Sequence, residues 1–461
     1  MKTNNSTFKT WPRLLAALLP TLVVVSAMQT AHAGSATWNL NPTNGDWLLA
    51  TNWTPNTVPN GPADTATFGV SNLTDIGGLL SSSIEVNGIV FSAGASAFTI
   101  TVASGSSFTR FLTISGTGVT NNSGTTQNFD ADSGQDAPGI IQFTNSATAG
   151  DLTVFSTQVG LSCQTCISGE IDFFDSSTAG NATLTANEDD TGGGLIKFLD
   201  NSTGGVARVE VFGNGTGDFT NGVLDVSSHA APGVTIGSLE GDGLVLLGAN
   251  NLTIGSNNVS TTFAGLIQDA GSITKSGTGK LTFSGANTYT GGTIVSAGNL
   301  LVTNRRGSGT GNGPVQINAG KLGGTGKISG NVIIGTGSGP GAFLTPGIVS
   351  GIPATVTIAK KVTFQADGTL HFGYKSDGTG DRVVARGVTI QSGAELFFGP
   401  IDTGTITVGT VFTVINNTAA TQISGAFNNL PDGGTVTVGN NTFQASYEGG
   451  TGNDLTLTVV P

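Results

Sequence analysis

The stretch "IQFTNSATAG", residues 141–150, recurs as "IDFFDSSTAG" at residues 171–180 and as "IKFLDNSTGG" at residues 196–205. The three copies align without gaps, and their starts are 30 and 25 residues apart. Each copy places an Ile two positions before a Phe, and side chains two positions apart lie on the same face of a strand. Each copy is therefore predicted to form a strand that sends an Ile–Phe pair to one side.

Two architectures place equivalent strands at regular intervals: a row of β-sandwich domains and a β-solenoid. Sandwich domains repeat at about 100 residues, whereas these copies return every 25 to 30 residues. One such unit cannot bury its own apolar face, but stacked units can. The spacing therefore favours the solenoid and predicts an internal stack of Phe143, Phe173 and Phe198. At roughly 25 residues per coil, we expect on the order of 15 coils.

The composition predicts an all-β protein. Glycine makes up 72 of 461 residues, 37% of the residues are hydrophobic and only 10% are charged. Disordered acidic chains are rich in charge and poor in apolar residues, so this chain is expected to fold. Short alternating apolar runs bounded by Gly, Asn and Asp are typical of many strands joined by tight turns.

The N-terminus has the pattern of a secretory signal peptide. A basic start with Lys2, Lys9 and Arg13 precedes an apolar run over residues 14–25, and Ala31-His32-Ala33 offers a small-x-small cleavage site. A membrane anchor is the alternative, but the run is shorter than the roughly 20 residues that span a bilayer. We expect Sec export and removal of residues 1–33.

The charge of the mature chain excludes one class of partner. Residues 1–33 hold three of the 17 basic residues and none of the 29 acidic ones, which leaves 14 against 29, a net charge of −15. Nucleic acids attract basic surfaces. We therefore expect no nucleic-acid partner.

Tryptophan and proline cluster in residues 34–68, directly after the cleavage site. Trp38, Trp47 and Trp53 are all the tryptophans of the mature chain. Such a cluster is either an exposed platform for stacking sugars or a plug for the open end of a solenoid. Because prolines prevent strand propagation, the sequence favours an N-terminal cap.

The segment "GTGKLTFSGANTYTGGTIVSAGNLLVTN", residues 277–304, resembles the autotransporter-associated β-strand repeat, also called the passenger-associated transport repeat. The matching residues are Gly277, Gly279, Leu281, Phe283, Gly285, Asn287, Tyr289, Gly291, Gly292, Gly298 and Leu300. The resemblance implies a right-handed parallel β-helix at the bacterial surface, with the repeat assisting outward transport.

The resemblance and the local patterns together predict the organisation of the mature chain. After the cap, we expect a solenoid body over 69–265, the repeat over 266–304 and a continued Gly-rich solenoid over 305–434. Residues 435–461 are predicted to form a three-stranded meander that closes the chain.

An autotransporter also carries an outer-membrane barrel, whose strands run about ten residues and carry aromatic girdles. After Asn304 the sequence has two tyrosines and no tryptophan. We expect no barrel in this stretch, so export machinery or an outer-membrane partner would have to supply that step.

The two cysteines, Cys163 and Cys166, form a CxxC motif. In a cytosolic enzyme this motif indicates redox chemistry, and two such pairs indicate zinc. In an exported chain a disulfide is the expected state. The pair lies in the 30-residue interval between repeat copies, so it is predicted to staple a protruding loop.

No catalytic site is predicted. Ser133, in an Asp-Ser-Gly triplet, lacks a recognisable His and acid partner. Calcium is the one candidate cofactor, because carboxylates could supply oxygen ligands. The favoured interpretation is that these carboxylates lie in solvated turns. The candidate ligands are Asp130, Asp132, Asp136, Glu188, Asp189, Asp190 and the acid of the single nonapeptide-like segment 449–457.

The sequence as a whole predicts an exported, non-enzymatic, passenger-like β-helix with a structural or adhesive role at the bacterial surface or in the medium. Its partners would be host or environmental surfaces, including glycans. A polysaccharide-binding or polysaccharide-degrading β-helix is the alternative, because such folds often host these activities, and it requires carboxylates or basic residues converging on one face.

Overall fold

Short strands joined by glycine-rich turns build the chain. The computed structural model describes residues 34–461 except 80–81, 104–107, 133–136, 158–167, 190–191, 216, 218–219 and 348–350. Apart from a 3₁₀ turn at Ala50–Asn52, the regular structure of these residues is entirely β. None of them belongs to a helix that is long and apolar enough to cross a bilayer.

The strands form four sheets, and neighbours in the following sequences are hydrogen-bonded to each other. Sheet 1 has eleven strands: Trp53–Thr54, Ala36–Trp38, Gly61–Phe68, Ile84–Phe91, Arg110–Asn121, Gly139–Phe143, Glu170–Phe173, Leu195–Phe198, Val223–Asp225, Leu244–Leu246 and Leu266–Gln268. Sheet 2 has fourteen: Asp75–Leu79, Thr99–Ala103, Gln127–Ala131, Asp151–Thr157, Asn181–Ala186, Arg208–Val211, Ser238–Gly241, Thr261–Phe263, Lys280–Phe283, Asn299–Val302, Gly320–Gly324, Ala342–Thr345, Gly368–Tyr374 and Glu395–Pro400. Sheet 3 has eight: Gly233–Ile236, Asn251–Ile254, Ser272–Lys275, Thr293–Val295, Val315–Ile317, Val332–Ile334, Val362–Phe364 and Val388–Ile390. Sheet 4 has seven: Lys327–Ile328, Thr355–Ile358, Arg382–Ala385, Val411–Asn417, Asp454–Val460, Asn441–Gly449 and Thr435–Val438.

The order of strands defines a β-solenoid. The chain alternates between sheets 1 and 2 up to Val211, and sheet 3 adds a third side from Gly233 onward. Sheet 4 begins at Lys327, after sheet 1 has ended at Gln268. The neighbouring strands are parallel through the coils, as stacked turns of one winding chain require. The solenoid class predicted from the repeats is confirmed.

The described residues form about 13 coils, close to the roughly 15 expected. The expectation divided the entire mature chain into coils. The described structure instead places the first two strands of sheet 1 as an antiparallel pair and the last three strands of sheet 4 as an antiparallel meander. The residues of these antiparallel strands form no further coils of the solenoid.

The predicted phenylalanine stack is present inside the solenoid. Phe143 pairs with Phe173, and Phe173 pairs with Phe198, each in parallel register. Their ring centroids are 4.9 Å apart at both steps, with interplanar angles of 5° and 10°. All three side chains are fully buried. Offset aromatic contact thus adds to the apolar area that the stack removes from water.

The tryptophans near the N-terminus are buried, as the plug interpretation requires. Trp38, Trp47 and Trp53 are 2%, 1% and 0% exposed, and their rings contact one another and Phe68. The indole N–H groups donate to backbone carbonyls, for example Trp47 to Pro59 at 3.0 Å. They therefore offer no exposed platform for sugars. The boundaries of a separate cap remain a prediction.

The C-terminal segment forms the predicted three-stranded meander. Thr435–Val438 pairs antiparallel with Asn441–Gly449, which pairs antiparallel with Asp454–Val460. The last of these strands also pairs antiparallel with Val411–Asn417 and so joins the meander to sheet 4.

Candidate functional site

The repeat motif occupies strands of sheets 2 and 3. Its apolar positions Leu281, Phe283 and Leu300 are buried, and Leu281 pairs with Leu300 of the next coil in parallel register. We call residues 273–302 the repeat module. Its apolar signature therefore builds core and leaves no apolar motif side chain free for a ligand.

Glycines of the repeat module stack on glycines of adjacent coils. A Cβ added to Gly277 would lie 2.0 Å from the carbonyl oxygen of Gly255, and one added to Gly298 would lie 2.5 Å from that of Gly277. Both residues also have positive φ, 64° and 67°, a conformation that glycine adopts at little cost. The other motif glycines show similar close approaches to backbone oxygens, at 1.9–2.7 Å from their added Cβ atoms: Gly279, Gly285, Gly291 and Gly292.

Asn287 joins three coils through its side chain. Its Oδ1 accepts a 2.8 Å hydrogen bond from the backbone N–H of Ile267, and its Nδ2 donates a 2.7 Å bond to the carbonyl of Gly309. The neighbouring motif residue Tyr289 is fully buried, with its hydroxyl 2.6 Å from Oγ1 of Thr293. Burial raises the pKa of this tyrosine above its ordinary value. The side chains of Asn287 and Tyr289 thus form hydrogen bonds with other buried polar groups.

Sequence analysis missed Lys275, at the start of the repeat module. It is 1% exposed, and its Nζ donates to the carbonyls of Ser276, Gly277 and Ala297, the last two at 2.9 and 3.4 Å. Burial lowers the pKa of this lysine to about 8. The ammonium group therefore closes a turn of the solenoid. The one signal in the sequence is that Lys275 lies two positions after Ile273, on the same face of the strand.

A cluster of carboxylates lies on the outer side of sheet 1. Asp172, Lys197 and Asp225 occupy one register position on three successive strands, and Lys197 forms an ion pair with Glu170. The Lys197 Nζ is 3.8 Å from an oxygen of Asp172. Burial, with the nearby Glu170 and Asp225, outweighs Lys197 and raises the pKa of Asp172 to about 7. Three carboxylates share one ammonium group, so the most buried acid, Asp172, is protonated below about pH 7.

An open groove of about 480 Å³ lies on the outer face of sheet 2, adjoining the repeat module. Its lining includes Lys280, Lys321, His371 and Asp381. Asp381 accepts hydrogen bonds from the backbone N–H groups of Ala354 and Gly373 at 2.8 and 2.9 Å. A second groove, of about 560 Å³, shares Lys280 and continues along the same sheet. Sequence analysis did not identify either groove.

The candidate site residues predicted from the sequence have ordinary structural surroundings where they are described. His229, which a Ser133 triad could have used, instead has both ring nitrogens against backbone carbonyls, those of Ala230 and Ser202, at 2.6 and 2.7 Å. Asp454, in the nonapeptide-like segment, accepts a 2.8 Å hydrogen bond from the N–H of Asn417. No three His, Cys, Asp or Glu side chains among the described residues are placed to hold a metal. Calcium binding stays a prediction.

Five of the predicted positions lie outside the described residues: Cys163, Cys166, Ser133, Asp136 and Asp190. The disulfide therefore stays a prediction.

Comparison with known proteins supports the identification of the repeat. The model of the passenger-associated-transport-repeat family matches residues 273–302. The adhesin BmaC autotransporter of Brucella suis biovar 1 (strain 1330) is 38% identical over 104 residues, which are 22% of this chain and only 3% of the length of that adhesin. The alignment with the crystal structure of the Haemophilus influenzae Hap adhesin covers 86% of this chain and 49% of the adhesin chain, at 11% identity and a TM-score of 0.36.

The protein is therefore a parallel β-solenoid. More particularly, it carries a passenger-associated transport repeat at residues 273–302, and the resemblance seen in residues 277–304 is confirmed.

Proposed function

We propose that this chain is an exported, non-enzymatic β-helix that acts at the bacterial surface as an adhesive or structural protein. The observation that carries the proposal is the repeat module, built in register into the middle of a continuous solenoid. Its match to a family of passenger repeats and the partial match to an adhesin support surface exposure. Export would follow removal of residues 1–33, with outward transport aided by the repeat module and by an outer-membrane partner.

The experiment is expression of the full chain in a Gram-negative host. Labelling of intact cells with antibody should detect the chain at the surface or in the medium, and its N-terminal sequence should begin at Gly34. Cells that display the chain should adhere to protein-coated or glycan-coated surfaces better than cells without it. Retention of the whole chain inside the cell would contradict the proposal.

Polysaccharide degradation, the alternative, lacks its chemical requirement in the groove on sheet 2. A glycoside hydrolase places two carboxyl groups on either side of the bond that it cleaves. The described lining of the first groove contains one carboxylate, Asp381, and its oxygens already accept backbone hydrogen bonds. The second groove contains Glu210 and Glu240, and both form ion pairs with Arg208. Polysaccharide binding without cleavage needs no such pair.

A further inference from the structure

The groove on sheet 2 has an electropositive edge in an acidic protein. Lys280 pairs with Asn299, and Asn299 pairs with Lys321, so both lysines occupy one register position on alternate strands. Strands are about 4.8 Å apart, which places the two Cα atoms roughly 10 Å from each other. The ion pairs within the described residues involve other cations, Lys197 and Arg208. The two ammonium groups are therefore available to an anionic ligand.

The described lining of this groove has one acid, Asp381, against the two lysines. Burial raises the pKa of Asp381 above its ordinary value, against the backbone N–H groups that stabilise the carboxylate. Glu395, also on the outer face of sheet 2, has the same register position as Lys321 but lies three strands away. Phe343 and Thr369 occupy that position on the two strands between them. This separation corresponds to roughly 14 Å between Cα atoms. The net charge that the groove presents to a ligand is positive.

An aromatic surface lies beside the lysines. The imidazole of His371 stacks on the ring of Phe397, with centroids 5.0 Å apart and an interplanar angle of 25°, and Phe397 is 54% exposed. A Cβ on Gly399 would lie 2.5 Å from Cε1 of His371, so the imidazole can take this position only because residue 399 is glycine. Nδ1 of His371 is buried without a hydrogen-bond partner. Burial and the charge of Lys321 lower the pKa of His371, which keeps the ring neutral near pH 7.

The groove continues into a second one. Lys280 lines both grooves. The second groove also contains Phe212, which is 39% exposed, the hydroxyls of Ser260 and Thr262, and Arg208, which forms ion pairs with Glu210 and Glu240. Two grooves of about 480 and 560 Å³ along one sheet provide room for several rings in series. A polymer fits this arrangement better than one small molecule does.

We propose that the outer face of sheet 2 binds an acidic polysaccharide of the uronate type. Lys280 and Lys321 pair with carboxylates of the sugar chain, and the apolar face of a sugar ring packs on His371 and Phe397. Charge-assisted hydrogen bonds and aromatic contact then supply affinity and orientation together. This inference rests on the proposed surface role and names the class of ligand that the surface recognises.

The test is calorimetric titration of the purified full chain with three probes: trigalacturonate, its methyl ester and neutral galactotriose. We expect binding of trigalacturonate that weakens as salt is added. K280Q and K321Q should each weaken it about tenfold, since each removes one charge-assisted contact. H371A should weaken binding of the acid and of its ester alike, because it removes stacking and leaves both lysines.

The matched control is K361Q, which makes the same change at an exposed lysine next to sheet 3. It should bind trigalacturonate as the unmodified chain does, and all variants should melt at the same temperature. Equal binding of galactotriose, equal loss in K361Q, or stronger binding of a DNA oligonucleotide of matched charge would each overturn the proposal. Absence of binding together with retained adhesion of displaying cells would remove this inference and leave the surface role intact.

Discussion

Two regions of the solenoid hold their coils together in different ways. In the coils that contain the phenylalanine stack, residues 139–211, paired positions advance by 30 residues from Phe143 to Phe173 and by 25 from Phe173 to Phe198. At the repeat module the advance is 20 residues from Phe263 to Phe283 and 19 from there to Val302. Both regions bring glycine backbone close to the next coil, as Gly205 does to Gly180 in the long coils, and the long coils add a stack of three phenylalanine rings.

This difference determines how much variation each region tolerates. The phenylalanine stack keeps its register although one interval is five residues longer than the next, and one of the additional residues forms a bulge between Asp151 and Val154. The repeat module has glycine at the corners where Gly255, Gly277 and Gly298 stack, so any side chain there meets a backbone oxygen. We therefore expect loss of a large side chain to matter most in the phenylalanine stack, whereas an atom added at a stacked glycine should matter in both regions.

The largest effect is expected for Phe173→Ala, at the centre of the phenylalanine stack. It removes a fully buried ring that contacts a ring on each side. The free energy of unfolding, measured by denaturant titration, should fall by about 3–5 kcal/mol. Phe212→Ala is the control, because Phe212 is 39% exposed, and it should change this free energy by less than about 1 kcal/mol. An equal loss in both variants would show that the stack does not hold the long coils.

The next effect depends on pH and concerns Asp172, which lies beside the phenylalanine stack. Its pKa is about 7 in the folded chain, against about 3.9 for an unfolded aspartate. A raised folded pKa means that the contribution to stability is complete below pH 4 and is lost as the pH rises through about 7.

Asp172→Asn keeps the shape of the side chain and removes this titration. The variant and the unmodified chain should have similar stability at pH 4, and at pH 8 the variant should be more stable by about 2–4 kcal/mol. Denaturant titrations at both pH values measure the difference. If the unmodified chain were instead the more stable one at pH 8, Lys197 would be holding Asp172 as a carboxylate.

Sequence predicted the phenylalanine coils well because their signal is local. An Ile and a Phe two positions apart must share a face of a strand, and three aligned copies must stack, so Phe143 and Phe173 could be placed without coordinates. The groove on sheet 2 could not be predicted. The residues that line it are spread from Lys280 to Ile401. Because the number of residues per coil varies, the sequence does not show which of them lie next to each other. Asp172 was missed for the same reason, because Lys197 and Asp225 reach it only through the register of three strands.

Asn287→Ala tests the side-chain link between the short coils. It leaves the N–H of Ile267 and the carbonyl of Gly309 buried without their partner. A buried group that loses its hydrogen bond costs about 1–3 kcal/mol, and we expect a loss of about 2–3 kcal/mol in the free energy of unfolding. Asn312→Ala is the control and should be close to neutral, because Asn312 is exposed and its side chain makes one 3.3 Å hydrogen bond at the surface. Hydrogen exchange at Ile267 should accelerate only in the first variant.

The smallest change, one methyl group, tests the backbone stacking directly. Gly277→Ala adds a Cβ 2.0 Å from the carbonyl oxygen of Gly255, at a residue whose φ is 64°. Strain and displaced backbone should lower the free energy of unfolding by about 1–3 kcal/mol. Gly124→Ala separates the two causes, because Gly124 has a φ of 79° but no atom within 4 Å of its added Cβ. If stacking matters, denaturant titration will show a larger loss for Gly277→Ala than for Gly124→Ala. Equal losses would mean that only the backbone conformation requires glycine, and the short coils would then owe their stability to Asn287 and the buried apolar residues.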